Sequence, residues 1–246
     1  MDRRFPLMGK VILVASGKGG TGKSTAAAAL ACALAELGRK AVCLDADAEL
    51  RNLDLCLGLS DCAVMDYGDV LAGRCSLSEA LTPSREYPLL SLLAAPPEPP
   101  EEGAEALIPE LKHGFDYCLL DCPGGLSTAS QLAPLADLAL VVAATDPCSQ
   151  RDAARAAQVL AEHGLSKARL LINRVSRRFL RSTEATLDDT IDSVGLQLIG
   201  YVPEDQTVAL ALAMGKPLLS LSRRGAAAAF RRIAKRLDGQ SVPLRR

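Results

Sequence analysis

Gly17-Lys18-Gly19-Gly20-Thr21-Gly22-Lys23-Ser24-Thr25 is the stretch that decides the fold, because Gly17 to Ser24 satisfies G-x-x-x-x-G-K-[ST]. In such a loop the glycines let successive backbone N–H groups turn inward. Lys23 then sets a cation on the terminal phosphates, and Ser24 offers a hydroxyl to Mg²⁺. The motif needs a strand before it and a helix after it. Lys10 to Ser16 reads K-V-I-L-V-A-S, an apolar run rich in the β-branched residues of a buried strand, and Thr25 to Leu37 is an alanine-rich stretch without a breaker. The helix N-terminus aims free N–H groups and partial positive charge at the loop, so Gly17 to Thr25 as a whole reads as nucleotide-binding.

Working outward, strand-like runs alternate with helical ones: Ala41 to Leu44, reaching Asp45; Pro88 to Ala95; Phe115 to Leu120, delivering Asp121; Leu138 to Ala144; Ala168 to Asn173; and Leu196 to Val202. Helices are expected up to Lys112, over Gln150 to His163 and over Gly225 to Leu237, with a polar loop after Asp45. This alternation predicts an α/β fold of the P-loop NTPase kind, a mostly parallel twisted sheet with helices on both faces. The chain has 246 residues, 49% of them hydrophobic, enough for one substantial core. No linker divides it, so residues 1–246 read as a single domain with a core over 9–238 and a short disordered tail over 239–246. The proline-rich stretch from Pro83 to Pro100 is expected to be a surface connector rather than a recognition loop.

Net charge is −1, which supplies no global field for nucleic acid or anionic lipid. Locally, Arg223 to Arg246 holds eight Lys or Arg against the single acid Asp238. The N-terminal M-D-R-R-F-P-L lacks the apolar segment of a signal peptide, Met8 is a possible alternative start, and no uncharged apolar run approaches the roughly 20 residues of a membrane span. A cytoplasmic location is the expectation. The eight cysteines form no C-x-x-C pair and have only His113 and His163 for company, so they read as reduced core thiols.

Ligands of open α/β sheets collect beyond the carboxyl ends of the strands, which selects Asp45, Asp47, Asp121, Asp146 and Asn173. Asp121 has the form of a Walker B acid able to hold Mg²⁺ through its water shell, and the Pro123-Gly124-Gly125 turn after it is switch-like. Asp45 falls nearer the metal and Asp47 is suited to orient an attacking water. Lys18, the second lysine of the loop, is suited to stabilise charge on a transferred phosphoryl group. Catalysis is thereby assigned to Lys18, Asp47 and Lys23, and metal binding to Ser24, Asp45 and Asp121.

The G-K-G-G-T-G-K-S-T loop resembles the deviant Walker A motif of the MinD/ParA ATPase family, in which the extra lysine crosses a dimer interface to the partner's nucleotide. L-D-A-D-A-E-L-R-N-L-D-L (44–55), D-Y-G-D-V-L-A-G (66–73), D-C-P-G-G (121–125) and G-Y-V-P-E-D-Q-T-V (200–208) are similar to segments of the MinD branch, whose members regulate septum placement. The resemblance spans about Val11 to Leu219. It implies an ATP- and Mg²⁺-dependent switch that forms a homodimer with ATP, hydrolyses slowly and answers to a protein activator or effector. It also implies that Asn52 lies near the dimer interface with Gly124 in the switch, and that Asn173, Pro203, Glu204 and Asp205 hold adenine. Relatives typically end in an amphipathic membrane helix, which D-G-Q-S-V-P-L-R-R does not supply. Peripheral membrane binding is therefore doubtful and nucleic acid an improbable partner. A ParA-type DNA-partitioning ATPase and a paralogue that positions flagella or carries a metal cluster are the alternatives.

Overall fold

The computed structural model describes residues 9–60, 62–98 and 103–244, apart from the side chain of Arg177. Met8 and the N-terminal heptapeptide, Pro99 and Pro100 of the proline-rich stretch, and Arg245 and Arg246 of the basic terminus lie outside the described residues.

β1 (Lys10–Ala15) runs into the glycine loop and out into α1 (Lys23–Glu36). β2 (Ala41–Asp45) is followed by α2 (Leu53–Leu57), α3 (Tyr67–Leu71) and α4 (Leu77–Ala80), then β3 (Leu81–Pro83) and β4 (Leu90–Leu93). A 3₁₀ turn leads into α5 (Ile108–Gly114), β5 (Tyr117–Asp121) and α6 (Ser127–Leu132). The second half is β6 (Leu138–Ala143), α7 (Pro147–Glu162), β7 (Ala168–Val175), α8 (Arg177–Thr183), α9 (Leu187–Val194), β8 (Leu198–Pro203), α10 (Gln206–Ala213), α11 (Leu218–Leu221) and α12 (Gly225–Leu237).

The strands form one eight-stranded sheet in the order β3-β4-β2-β5-β1-β6-β7-β8, parallel throughout except for the β3–β4 pair. From β1 the chain builds first to one side, through β2, and later to the other, through β6, so the crevice that such a reversal opens lies over the carboxyl end of β1. Alternation along the strands separates two cores. Ile12, Val14, Cys43, Leu119 and Leu140 pack with α1, α2, α11 and α12, whereas Val11, Leu13, Leu44, Leu120 and Val141 pack with α5, α6, α7 and α9. Burial on both faces explains why these strands read as continuous apolar runs.

α1 is buried nearly all round between the sheet and α12, and its alanines permit that close approach. α12 supplies Phe230, Ile233, Ala234 and Leu237 to the same core. Full burial of Phe230 stabilises by about 2–3 kcal/mol. The apolar stripe of α12 is therefore a docking face, and two of its cations have local partners: Arg231 makes a two-pronged contact with Glu36 at 2.6 and 2.8 Å. Arg236 donates to the carbonyls of Ile199, Val242 and Pro243, so residues 239–244, expected as a disordered tail, are tied back at that point.

The polar loop anticipated after β2 instead holds three short helices and β3. α3 opens with a reciprocal capping box between Asp66 and Asp69, as α9 does between Thr186 and Asp189. Helices this short show no usable hydrophobic period, and β3 is a three-residue edge strand. α7 begins three residues before the expected Gln150, because the Asp146 carboxylate accepts from Ser149 N at 3.0 Å with Pro147 in the first turn. Asp146 is a helix cap.

Candidate nucleotide-binding site

The glycine loop emerges from β1 with Lys23 buried at 7% exposure and Lys18 exposed to solvent. α1 starts at Lys23 with no capping side chain and no acid in its first turn, so its N-terminal amides are left for an anion. Gly22 precedes them at φ 94°, a left-handed conformation, and a Cβ there would stand 2.3 Å from Asn173 Nδ2. Only glycine fits. Gly19 and Gly20 lie open, and Gly17 packs against the backbone of Asp152. Gly124 approaches the loop from the end of β5, close enough that a Cβ would meet Gly19 Cα at 3.2 Å.

Parallel register sets the two metal-binding candidates side by side: Asp45 ends β2 directly opposite Asp121, which ends β5. The Asp45 carboxylate accepts from the N–H groups of Asp47 at 3.0 Å and Leu53 at 3.3 Å, so it also fixes the switch segment. Asp47 in turn accepts from Leu50 N at 3.0 Å. Burial pushes the Asp45 carboxyl up to about 6, against the pull of those two amide bonds. Asp121 is raised to about 7, first by burial and further by Asp45 and Asp47, while the Ser24 hydroxyl and the Lys23 ammonium draw it down. Asp121 Oδ1 and Thr21 Oγ1 are the buried side-chain oxygens that lack a hydrogen-bond partner among the described residues. An orphaned carboxylate oxygen, a second carboxylate in register with it and the Ser24 hydroxyl make a set of hard oxygen donors that suits Mg²⁺. A divalent cation there would hold both acids ionised.

Two cavities meet over this surface. One, of about 370 Å³, is lined by Gly19, Lys23, Ser24, Asp47, Asn52 and Gly124. The other, of about 350 Å³, lies between Asn173 and the Pro203-Glu204-Asp205 segment. Gly22, Thr25, Arg174 and Leu212 line both. Asn173 donates one amide hydrogen to Thr21 O at 2.8 Å, which leaves its second hydrogen and its carbonyl for a base edge. The Asp205 oxygens accept from Thr207 N and Ala226 N, both at 2.9 Å, so Asp205 shapes the cleft by capping α10 and anchoring α12.

Asn52 sits at the start of α2, on the rim of the phosphate cavity, between the exposed Leu50 and Leu55. Leu50, Leu212 and Arg174 were not singled out from sequence. The signal for Arg174 was its place beside Asn173 at a strand end. Cys32, Cys43, Cys118 and Cys122 are core residues, and burial raises their thiols. Among the described residues no three His, Cys, Asp or Glu side chains are grouped to hold a metal. Nor is any helix long and apolar enough to cross a membrane.

A nucleotide-binding P-loop domain of the deviant kind is what this fold and site define, and the chain belongs to the CobQ/CobB/MinD/ParA nucleotide binding domain family, which matches residues 12–218. Within it the chain is 38% identical to septum site-determining protein MinD of Synechocystis, over 96% of this chain and 92% of that one. The MinC:MinD cell division protein complex of Aquifex aeolicus contains a chain that superposes with a TM-score of 0.88 at 33% identity, covering 96% of this chain and 98% of its own. The septum site-determining protein MinD complexed with Mg-ADP from Pyrococcus horikoshii superposes at 0.82 and 29% identity, over 94% and 96%.

Proposed function

We propose that this protein is a MinD-like ATPase that takes part in placing the division site, cycling between a nucleotide-poor monomer and an Mg-ATP homodimer. The observation that carries the reading is the contrasting exposure of two lysines on one loop: Lys23 is buried beside this chain's own Asp121, and Lys18 is exposed. A cation that does not serve its own site is available to a second chain. Exposed Leu50, Leu55 and Leu212 surround the mouth of the phosphate cavity and supply apolar surface for that approach.

In the proposed cycle the α1 amides and Lys23 bind the phosphates, and Ser24, Asp45 and Asp121 hold Mg²⁺. Mg²⁺ held there would neutralise charge on the phosphates and favour the ionised form of both carboxylates. Asp47, fixed by its own N–H bond to Asp45, orients water toward the terminal phosphate. Lys18 of the opposing protomer completes charge stabilisation, so that neither site hydrolyses alone. Asn173 and the Pro203–Asp205 segment take the base. A protein effector fits this reading, as the Aquifex aeolicus complex supports; a membrane role for α12 does not, since its apolar stripe is buried.

Light scattering of an Asp47→Ala variant tests the cycle. With Mg-ATP it is expected to double in mass and with Mg-ADP to remain monomeric. A monomer in both states would refute the dimer.

A further inference from the structure

Among the described residues three non-glycine positions have positive φ, Arg51 at 47°, Arg174 at 54° and Glu184 at 54°. Glu184 is the C-cap of α8, where a left-handed residue is ordinary, and Arg51 lies in the loop before α2. Arg174 is different, because it is inside β7, where the chain should be extended. The register shows the cause. Ile172 faces Tyr201 and Val175 faces Pro203, so β7 takes three steps where β8 takes two. One extra residue has been inserted at Asn173-Arg174, the arrangement of a β-bulge.

The bulge has a chemical consequence. In a regular strand consecutive side chains leave on opposite faces, and if Asn173 lined the ligand crevice Arg174 would turn away. Here both line the cleft beside Pro203 and Glu204, and Arg174 reaches the phosphate cavity as well. Lys23 serves the phosphate cavity only, whereas Arg174 stands where the two cavities join. Its side chain has no hydrogen bond or ion pair with any described residue. A left-handed arginine costs backbone energy that a glycine would avoid, and strain of this kind gathers at ligand clamps.

We propose that Arg174 is a nucleotide-binding residue that closes over the junction of base and phosphates, its guanidinium donating to the phosphate nearest the sugar. The bulge exists to aim it there. This rests on the nucleotide reading above and adds a contact outside the glycine loop. A guanidinium is suited to it, since its planar fork meets two phosphate oxygens at once and keeps its charge at any working pH.

The test is calorimetric titration of Mg-ADP and of adenosine into the full chain and into Arg174→Ala, Arg174→Lys and Arg174→Gly, with thermal melts of each apo protein. Mg-ADP keeps the comparison on the monomer in the proposed cycle. Removing a charge-assisted phosphate contact is expected to weaken Mg-ADP roughly ten- to a hundredfold in the Ala and Gly variants alike, and less in Lys. Adenosine affinity is expected to stay within about twofold, because the lost contact is to phosphate. Arg174→Gly should melt above Arg174→Ala, since glycine accepts the bulge conformation. Unchanged Mg-ADP affinity in Ala and Gly overturns the proposal, as does an equal loss for adenosine. Retention of affinity by Gly alone also overturns it, because the backbone and not the guanidinium would then be at work. If the parent chain itself fails to bind Mg-ADP, the nucleotide reading falls first.

Discussion

The phosphate half of the site and its base half are built on opposite principles. Around the glycine loop, Thr21 Oγ1 and Asp121 Oδ1 are buried without partners, and two carboxyls are held near neutrality side by side. Around the base cleft, Asp205 has both oxygens occupied by backbone amides and Asn173 is tied to the loop carbonyl of Thr21. Buried polar groups left unpaired cost of order 1–3 kcal/mol each. The phosphate half is thus incomplete until charge arrives, whereas the base half is finished as a structure before any ligand. Recognition of the base becomes a matter of cleft shape and of the groups that Asn173 has left to pair, and response to phosphate and metal a matter of electrostatics.

The widest separation of the two halves should come from Lys18→Ala. In the proposed cycle its cation serves turnover rather than folding, so ATP hydrolysis is expected to fall roughly 10³-fold or more, as with loss of an arginine finger. Apo melting temperature should be unchanged and Mg-ADP affinity altered by less than about tenfold, because the proposed cycle gives the terminal phosphate contact to Lys23. Steady-state turnover alongside calorimetry reads both quantities. Hydrolysis at the parental rate would remove Lys18 from the mechanism.

Asp205→Ala attacks the finished half. Loss of two amide bonds that cap α10 and start α12 should destabilise the apo chain by about 2 kcal/mol in urea titration. Mg²⁺ should not restore it. A loss seen only with nucleotide present would instead make Asp205 a direct ligand contact.

Asp121→Asn sharpens the unfinished half through pH. A carboxyl whose folded pKa is raised from 3.8 to about 7 makes the folded state the better proton binder, so its contribution to apo stability declines as pH rises from about 4 to about 7. The amide has no charge to bury. The variant should therefore gain on the parent across that window and end more stable by on the order of 1–2 kcal/mol at pH 8, while losing Mg²⁺-dependent nucleotide affinity. A constant difference from pH 4 to 8 would mean that Asp121 is ionised throughout in the apo protein.

Legibility followed distance along the chain. The loop, the strand before it and the helix after it were readable because each depends on neighbours within a few residues, as did Asp45 and Asp121 at the ends of apolar runs. The helices α2, α3 and α4 were hidden because each is only four or five residues long: capping boxes rather than periodicity start α3 and α4, and α2 starts where Leu53 N donates to the distant Asp45 carboxylate. Asp146 sat on the list of crevice acids and became a helix cap, a use that Pro147 beside it favoured. Asp205 is an adenine contact by resemblance; it lines the base cleft, and what the sequence did not show is that its carboxylate also accepts from Ala226, 21 residues away. Arg174 was not singled out, since nothing local announces a bulge.

By itself the sequence determined that a phosphate cradle exists and which strand and helix form it, because backbone conformation at glycine, helix start and apolar run are local properties. Only the tertiary structure decided which polar groups face one another: Asp45 against Asp121 by parallel register, Asn173 against Thr21 across 152 residues, and Arg174 over two cavities by one inserted residue. Those pairings depend on how strands align and where one slips, and register is fixed by the packing of the whole sheet rather than by any segment of it.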